Sequence, residues 1–120
     1  MYRVFVSYAQ QNIEWARYLN TILSGTNATV FVAEKDLPAG NSLSADIAQA
    51  IKTCDLFVLL WSKASTDSRY VEKEIFLANS EKKKIIPVLL QKNVRLPIEL
   101  GDIKYLDLVE KPSEEEILWL

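Results

Sequence analysis

With no histidine and one cysteine, Cys54, this chain has no imidazole base, no Cys–His or Ser–His pair and no Cys/His zinc site. Any chemistry must come from carboxylates, hydroxyls and aromatic rings. The richest stretch is Ser68-Arg69-Tyr70-Val71-Glu72-Lys73-Glu74-Ile75, the opening of a helix that follows the apolar run Leu56 to Trp61. Val71, Ile75 and Ala78 recur at helical spacing and mark a buried stripe, with Glu74 and Tyr70 together at its margin. The positions three and four away from Glu74 are Val71, Tyr70, Leu77 and Ala78, so none supplies a cation. Desolvation beside apolar surface raises a carboxyl pKa, a condition common where a side chain does chemistry. A solvated helix glutamate has the same appearance in sequence and, on position alone, is the plainer reading.

The elements that must position these residues fit in one domain, since 120 residues support one core and not two. The 49% apolar and 25% charged composition, without low-complexity segments, is that of a globular chain. A net charge of -2 and a pI near 5.2 lack the basic footprint of a nucleic-acid binder. Lys82-Lys83-Lys84 and Glu114-Glu115-Glu116 read as solvated loop or helix ends. No basic leader with an apolar core opens the chain, and no apolar run approaches a membrane span. A cytoplasmic location without membrane contact is the expectation, with Cys54 as a small buried hydrophobe.

Arg3 to Tyr8 reads as a first strand, and a helix follows with Ala16, Leu19, Ile22 and Leu23 on its apolar stripe, Asn12 as N-cap and Gly25 as its stop. Thr29 to Ala33 is a second strand, and Glu34 to Asn41 a loop by its Pro, Gly and charges. Leu43, Ile47 and Ile51 predict a helix capped by Asn41 or Ser42. Leu56 to Trp61 has no polar alternation, as suits a central strand covered on both faces. The next helix spans about Asp67 to Glu81, followed by a strand from Ile85 to Leu90 in which Pro87 demands an edge, a bulge or an unpaired amide. Tyr105 to Leu108 is the fifth strand, reached by an irregular crossover. Ser113 caps a final helix still apolar at Leu120, so the expectation is a domain truncated there and followed by a further module in a parent chain.

This alternation predicts an α/β fold: a flavodoxin-like five-stranded parallel sheet in the order 2-1-3-4-5, with helices on both faces. Ligands of such sheets bind outside the carboxyl ends of the strands, at the switch point. Ser7 and Tyr8, Ala33 to Gly40, Trp61 and Ser62, and the helix bearing Tyr70 and Glu74 converge there.

Among families of this architecture, phospho-acceptor receivers need acidic residues after strands one and three, where this chain has Ser7-Tyr8 and Trp61-Ser62. Flavodoxins need a hydroxyl-rich glycine loop in place of Ala9-Gln10-Gln11-Asn12, and neither G-x-G-x-x-G nor G-x-x-x-x-G-K-[ST] occurs. The residues that do match a family are Val4-Phe5-Val6-Ser7-Tyr8, Val30-Phe31-Val32 with Asp36-Leu37-Pro38-Ala39-Gly40, Ile51-Lys52-Thr53-Cys54-Asp55, Arg69-Tyr70-Val71-Glu72-Lys73-Glu74-Ile75 and Lys84-Ile85-Ile86-Pro87-Val88-Leu89. In this order they resemble a Toll/interleukin-1 receptor (TIR) domain from residue 3 to about 108.

The resemblance implies one of two functions. Some TIR domains are scaffolds; others cleave NAD with a glutamate on the third helix, preceded four residues earlier by an aromatic, usually Trp. Glu74 and Tyr70 match those positions, with Tyr in place of Trp, and Asn12 stands where many relatives carry Asp. The resemblance thus implies an NAD glycohydrolase with Glu74 as catalytic residue, and Ser7, Tyr8, Ala33, Tyr70 and Trp61 as candidates for substrate contact. Ser7 alternatively ends the strand, while Tyr70 and Trp61 alternatively pack. The loop Asp36, Leu37, Pro38, Ala39 and Gly40 matches the segment through which TIR domains contact one another. NAD would be the substrate, with no cofactor and no metal, and the domain would self-associate in immune or effector signalling. A lone carboxylate suffices because nicotinamide leaves neutral without a general acid, unlike a sugar leaving group. One anion can then stabilise the ribosyl cation. The rival is a non-catalytic scaffold mediating TIR–TIR contacts; a flavin-binding protein is a weaker third option.

Overall fold

The structure, a computed structural model, describes residues 2–32, 44–91, 94–96 and the backbone of 106–107. The elements in chain order are β1 (Tyr2–Ser7), α1 (Ile13–Leu23), β2 (Ala28–Val32), α2 (Ala45–Thr53), β3 (Leu56–Trp61), α3 (Lys63–Thr66), α4 (Arg69–Ser80), β4 (Ile85–Leu89) and β5 (Leu106–Asp107). The sheet runs β2-β1-β3-β4-β5, every pairing parallel. This is the order expected from the alternation of patterns, with the fifth strand described over two residues only.

Side-chain alternation along the strands divides the core into two layers. Val4, Val6, Leu56, Val58, Leu60 and Val88 face α1 and pack with Ala16, Leu19 and Leu23. Phe5, Phe57, Leu59, Trp61 and Ile85 face the other way, against Ile47 and Ile51 of α2 and Val71, Ile75 and Ala78 of α4. On this second face Phe31, Phe5 and Phe57 form a stacked row across three neighbouring strands, with ring centroids 5.5 and 5.3 Å apart. Both gaps follow from register, since Phe5 is the partner of Phe31 and of Phe57. All six residues of β3 are buried, as its unbroken apolar run requires.

Pro87 sits inside the sheet, opposite Leu59, and not on an edge strand. Its missing N–H is harmless there for a geometric reason. In a parallel ladder alternate residues direct both backbone groups to the same neighbour. Phe57 N–H donates to Lys84 O and Leu90 N–H to Trp61 O, so the even-numbered residues of this strand bond to β3. Position 87 therefore points away from β3, and among the described residues β5 pairs with Val88 and Leu89.

Several boundaries differ from the sequence expectation. α2 starts at Ala45, with Ser44 as N-cap accepting from Ile47 N–H at 3.2 Å; Asn41 and Ser42, the expected caps, lie outside the described residues. The helix expected from Asp67 is preceded by the separate short helix α3, and α4 begins after the N-cap Ser68, whose hydroxyl accepts from Val71 N–H. α4 ends with Lys82 in the left-handed region at φ 55°. Lys82 N–H bonds to Asn79 O and Lys83 N–H to Ala78 O, the paired bonds of a Schellman ending. The lysine run thus marks a helix end, and Lys83 Nζ also donates to Cys54 O, the C-cap of α2, at 3.0 Å. Residues 94–96 carry no helix. Tyr105 and Leu108, the outer residues of the expected fifth strand, and the helix expected after Ser113 lie outside the described residues.

Candidate active site

Ser7 is the last residue of β1, and the alternation that sends Phe5 toward α4 sends Ser7 the same way. α4 packs against β1, α2 and α3. Enclosed on several sides, it buries Tyr70, Val71, Glu74, Ile75 and Ala78, a stripe wider than the apolar residues alone indicate. Glu74 therefore lies inside the stripe, between Tyr70 and Ala78, not at its margin, and is 0% exposed. The solvated-glutamate reading is overturned by this burial.

Ser7 Oγ donates to Glu74 Oε1 at 2.7 Å, inside the protein and across a sequence separation of 67 residues. Among the described residues Glu74 is the one buried side chain of the Asp, Glu, Lys and Arg type, and Ser7, Ser62 and Ser65 are buried with it. A carboxylate without water depends on such donors, because hydrogen bonds to an ionised oxygen stabilise the charge that burial disfavours. One turn earlier, Tyr70 is 7% exposed, and its hydroxyl is buried without a hydrogen-bond partner.

The remaining candidates separate. Trp61, at the end of β3 on the same face of the sheet, is packed in the α2–α4 layer, and its indole N–H donates to Arg95 O at 2.7 Å. Its N–H thus anchors the segment at residues 94–96. Tyr8, one residue beyond Ser7, falls on the opposite side, fully buried in the α1 layer. Successive side chains of an extended chain point to opposite faces, which sets the packing of Tyr8 apart from that of Ser7. Ala33 and the loop Asp36, Leu37, Pro38, Ala39 and Gly40 lie outside the described residues.

A second polar group at the carboxyl end of β3 has no counterpart in the sequence reading. Ser62 Oγ donates to Asn12 Oδ1 at 2.6 Å, Ser65 Oγ donates to Leu60 O at 2.9 Å, and Ser62 and Ser65 form a reciprocal capping box at the start of α3. Asn12 was expected to cap α1 with its side chain. It occupies the N-cap position but makes no side-chain cap bond, and a 3-10 turn at Gln10–Asn12 leads into the helix instead. The Ser-x-x-Ser spacing directly after the strand was the available signal for α3. Among the described residues no group of three or more His, Cys, Asp or Glu side chains gathers where a metal ion could bind, and no helix is long and apolar enough to cross a membrane.

The fold and site define an α/β protein of flavodoxin-like order with a buried, hydroxyl-bound carboxylate near the carboxyl ends of the strands. A family model described as TIR domain matches residues 4–118, and the chain belongs to the TIR family. Three solved structures show the same fold. The TIR domain of the Toll-related receptor TRR-2 from Hydra magnipapillata is 26% identical, with a TM-score of 0.75 over 92% of this chain and 87% of that one. The TIR domains of the activated Roq1 resistosome, described as directly recognising the pathogen effector XopQ, are 22% identical, with a TM-score of 0.64 over 74% of this chain and 57% of that one. The Clostridium botulinum CMP N-glycosidase BcmB is 24% identical, with a TM-score of 0.64 over 98% of this chain and 96% of that one. No curated protein matches the chain.

Proposed function

We propose that this TIR domain is an NAD glycohydrolase in which Glu74 stabilises the ribosyl cation. The observation that carries the reading is the hydrogen bond from Ser7 Oγ to Glu74 Oε1, which holds a carboxylate of α4 at the carboxyl end of β1, where ligands of such sheets bind. The C1′–N bond to nicotinamide breaks with its electron pair moving to the pyridinium nitrogen, so the base departs neutral and needs no proton. The positive charge left on the ribose ring is stabilised by the carboxylate, whose effect is strengthened by the low local dielectric. Water then adds at C1′ and loses a proton, giving ADP-ribose; attack by the adenine of the same molecule gives a cyclic product. Tyr70 supplies a ring beside the carboxylate. Support for cleavage at a ribosyl C1′–N bond comes from the fold's occurrence in an N-glycosidase of CMP.

Self-association through the segment Asp36 to Gly40 would switch the activity on, in cytoplasmic immune or effector signalling. The complete burial of Glu74 favours the other reading, a scaffold whose Ser7–Glu74 pair is purely structural. One assay separates the two. The domain, clustered on a multivalent support, is incubated with NAD and in parallel with CMP, with Glu74→Gln as control, and products are identified by mass. NAD loss that depends on Glu74 supports the proposal, CMP loss alone redirects it to another nucleotide, and no turnover of either leaves the scaffold.

A further inference from the structure

We infer that Ser7 is a positioning residue for Glu74 and not a contact for the substrate. The inference rests on the glycohydrolase reading for its catalytic consequence, while its physical content concerns the Ser7–Glu74 pair alone. A serine hydroxyl has one proton, and that of Ser7 is directed to Glu74 Oε1 at 2.7 Å. Both residues are 0% exposed. The two ends of the bond stand on different elements, the carboxyl end of β1 and the second turn of α4, so the bond fixes the carboxylate relative to the sheet and not merely relative to its own helix.

The bond has two effects. It restricts the Glu74 side chain, whose terminal torsion is otherwise broad, to one orientation. It also stabilises the ionised form, the form a ribosyl cation needs. Other titratable side chains on the surrounding elements are turned outward. Arg3 on β1, Asp46 and Lys52 on α2, Lys63 on α3 and Arg69 and Glu72 on α4 are exposed, Lys73 is half-buried, and Tyr8 is buried across the sheet. Tyr70, on the helix of Glu74 itself, is buried.

Ser7→Ala removes the donor, Ser7→Cys keeps the volume with a weaker donor, and Ser7→Thr keeps the hydroxyl. Two readouts apply to each: the pH titration of the Glu74 side-chain carboxyl carbon by nuclear magnetic resonance, assigned by its loss in Glu74→Gln, and steady-state NAD cleavage by the clustered domain. The expected result is a Glu74 titration displaced to higher pH in Ser7→Ala and Ser7→Cys and restored in Ser7→Thr. kcat should fall about 10- to 100-fold in the first two, with KM changed less than about threefold. A titration unmoved by Ser7→Ala and Ser7→Cys overturns the inference, as does a rise in KM at constant kcat, the mark of a substrate contact. If the unaltered domain cleaves no NAD, the glycohydrolase reading fails, and the titration still decides the role of Ser7. Should Ser7→Ala not fold, Ser7→Cys carries the same test.

Discussion

Asn12 and Ser62, fifty positions apart in the chain, are joined by a hydrogen bond of 2.6 Å that ties the entrance of α1 to the end of β3. Ser62 is thereby shared between two tasks, donating to Asn12 while its oxygen caps α3. Asn12→Ala should lower stability by about 1 kcal/mol, the contribution of a typical hydrogen bond, and leave a buried hydroxyl to find a new acceptor. Asn12→Asp retains an acceptor at the same place and should hold stability near that of the unaltered chain. Chemical denaturation at neutral pH distinguishes the two.

Glu74→Gln preserves an acceptor for Ser7 and nearly the same volume, so the fold should survive with little change in melting temperature. NAD cleavage should nevertheless fall at least about 100-fold, since a neutral amide cannot offset a ribosyl cation. Glu74→Ala should lower stability by about 2–4 kcal/mol, because it opens a void and strands the Ser7 hydroxyl in the core. Calorimetry beside the NAD assay tells loss of chemistry from loss of fold.

The Tyr70 hydroxyl is buried without a hydrogen-bond partner, an arrangement that destabilises the free protein. Tyr70→Phe should therefore leave the melting temperature unchanged or raise it. If the hydroxyl receives a polar group of bound nucleotide, KM for NAD should rise several-fold in the same variant. An unchanged KM would assign the ring to packing alone.

Lys82 occupies the left-handed region at φ 55° in the Schellman ending of α4, the position glycine occupies most readily. Lys82→Gly should stabilise the domain by about 0.5–1 kcal/mol, the side chain being exposed and its removal releasing the Cβ penalty. Urea denaturation with an unchanged slope is the measurement.

Burial pushes the Cys54 thiol above its ordinary value of 9.0, partly opposed by the nearby Lys83 ammonium and reinforced by Asp55. The folded state thus holds this proton more tightly than the unfolded state does. Its contribution to stability is complete below the unfolded pKa and is lost as pH rises through the folded one. Cys54→Ala should flatten the alkaline decline in stability above about pH 9. In the unaltered protein, alkylation of the thiol at pH 8 should be slow until denaturant is added.

The sequence by itself determined the alternation of strands and helices, the central position of β3, the helical stripes and the family. Each depends on residues a few positions apart: six unbroken apolar residues in Leu56–Trp61, or Val71, Ile75 and Ala78 on one helical face. Glu74 stood out because its neighbours one turn away are apolar or aromatic. Its complete burial did not, since that depends on β1, α2 and α3 enclosing α4 from several sides.

Only the tertiary structure decided which polar atoms meet. The Ser7–Glu74 bond requires the pleat of β1 to turn Ser7 toward α4 and the rotation of α4 to point Glu74 back at the sheet. The same pleat sends Tyr8 to the α1 layer, so adjacent residues that looked alike as site candidates have opposite surroundings. Asn12 and Ser62 likewise meet through the register of strands, not through any local pattern. Periodicity records how a chain faces its immediate neighbours, whereas hydrogen bonds across tens of residues are set by register and helix rotation, which are outcomes of packing the whole domain.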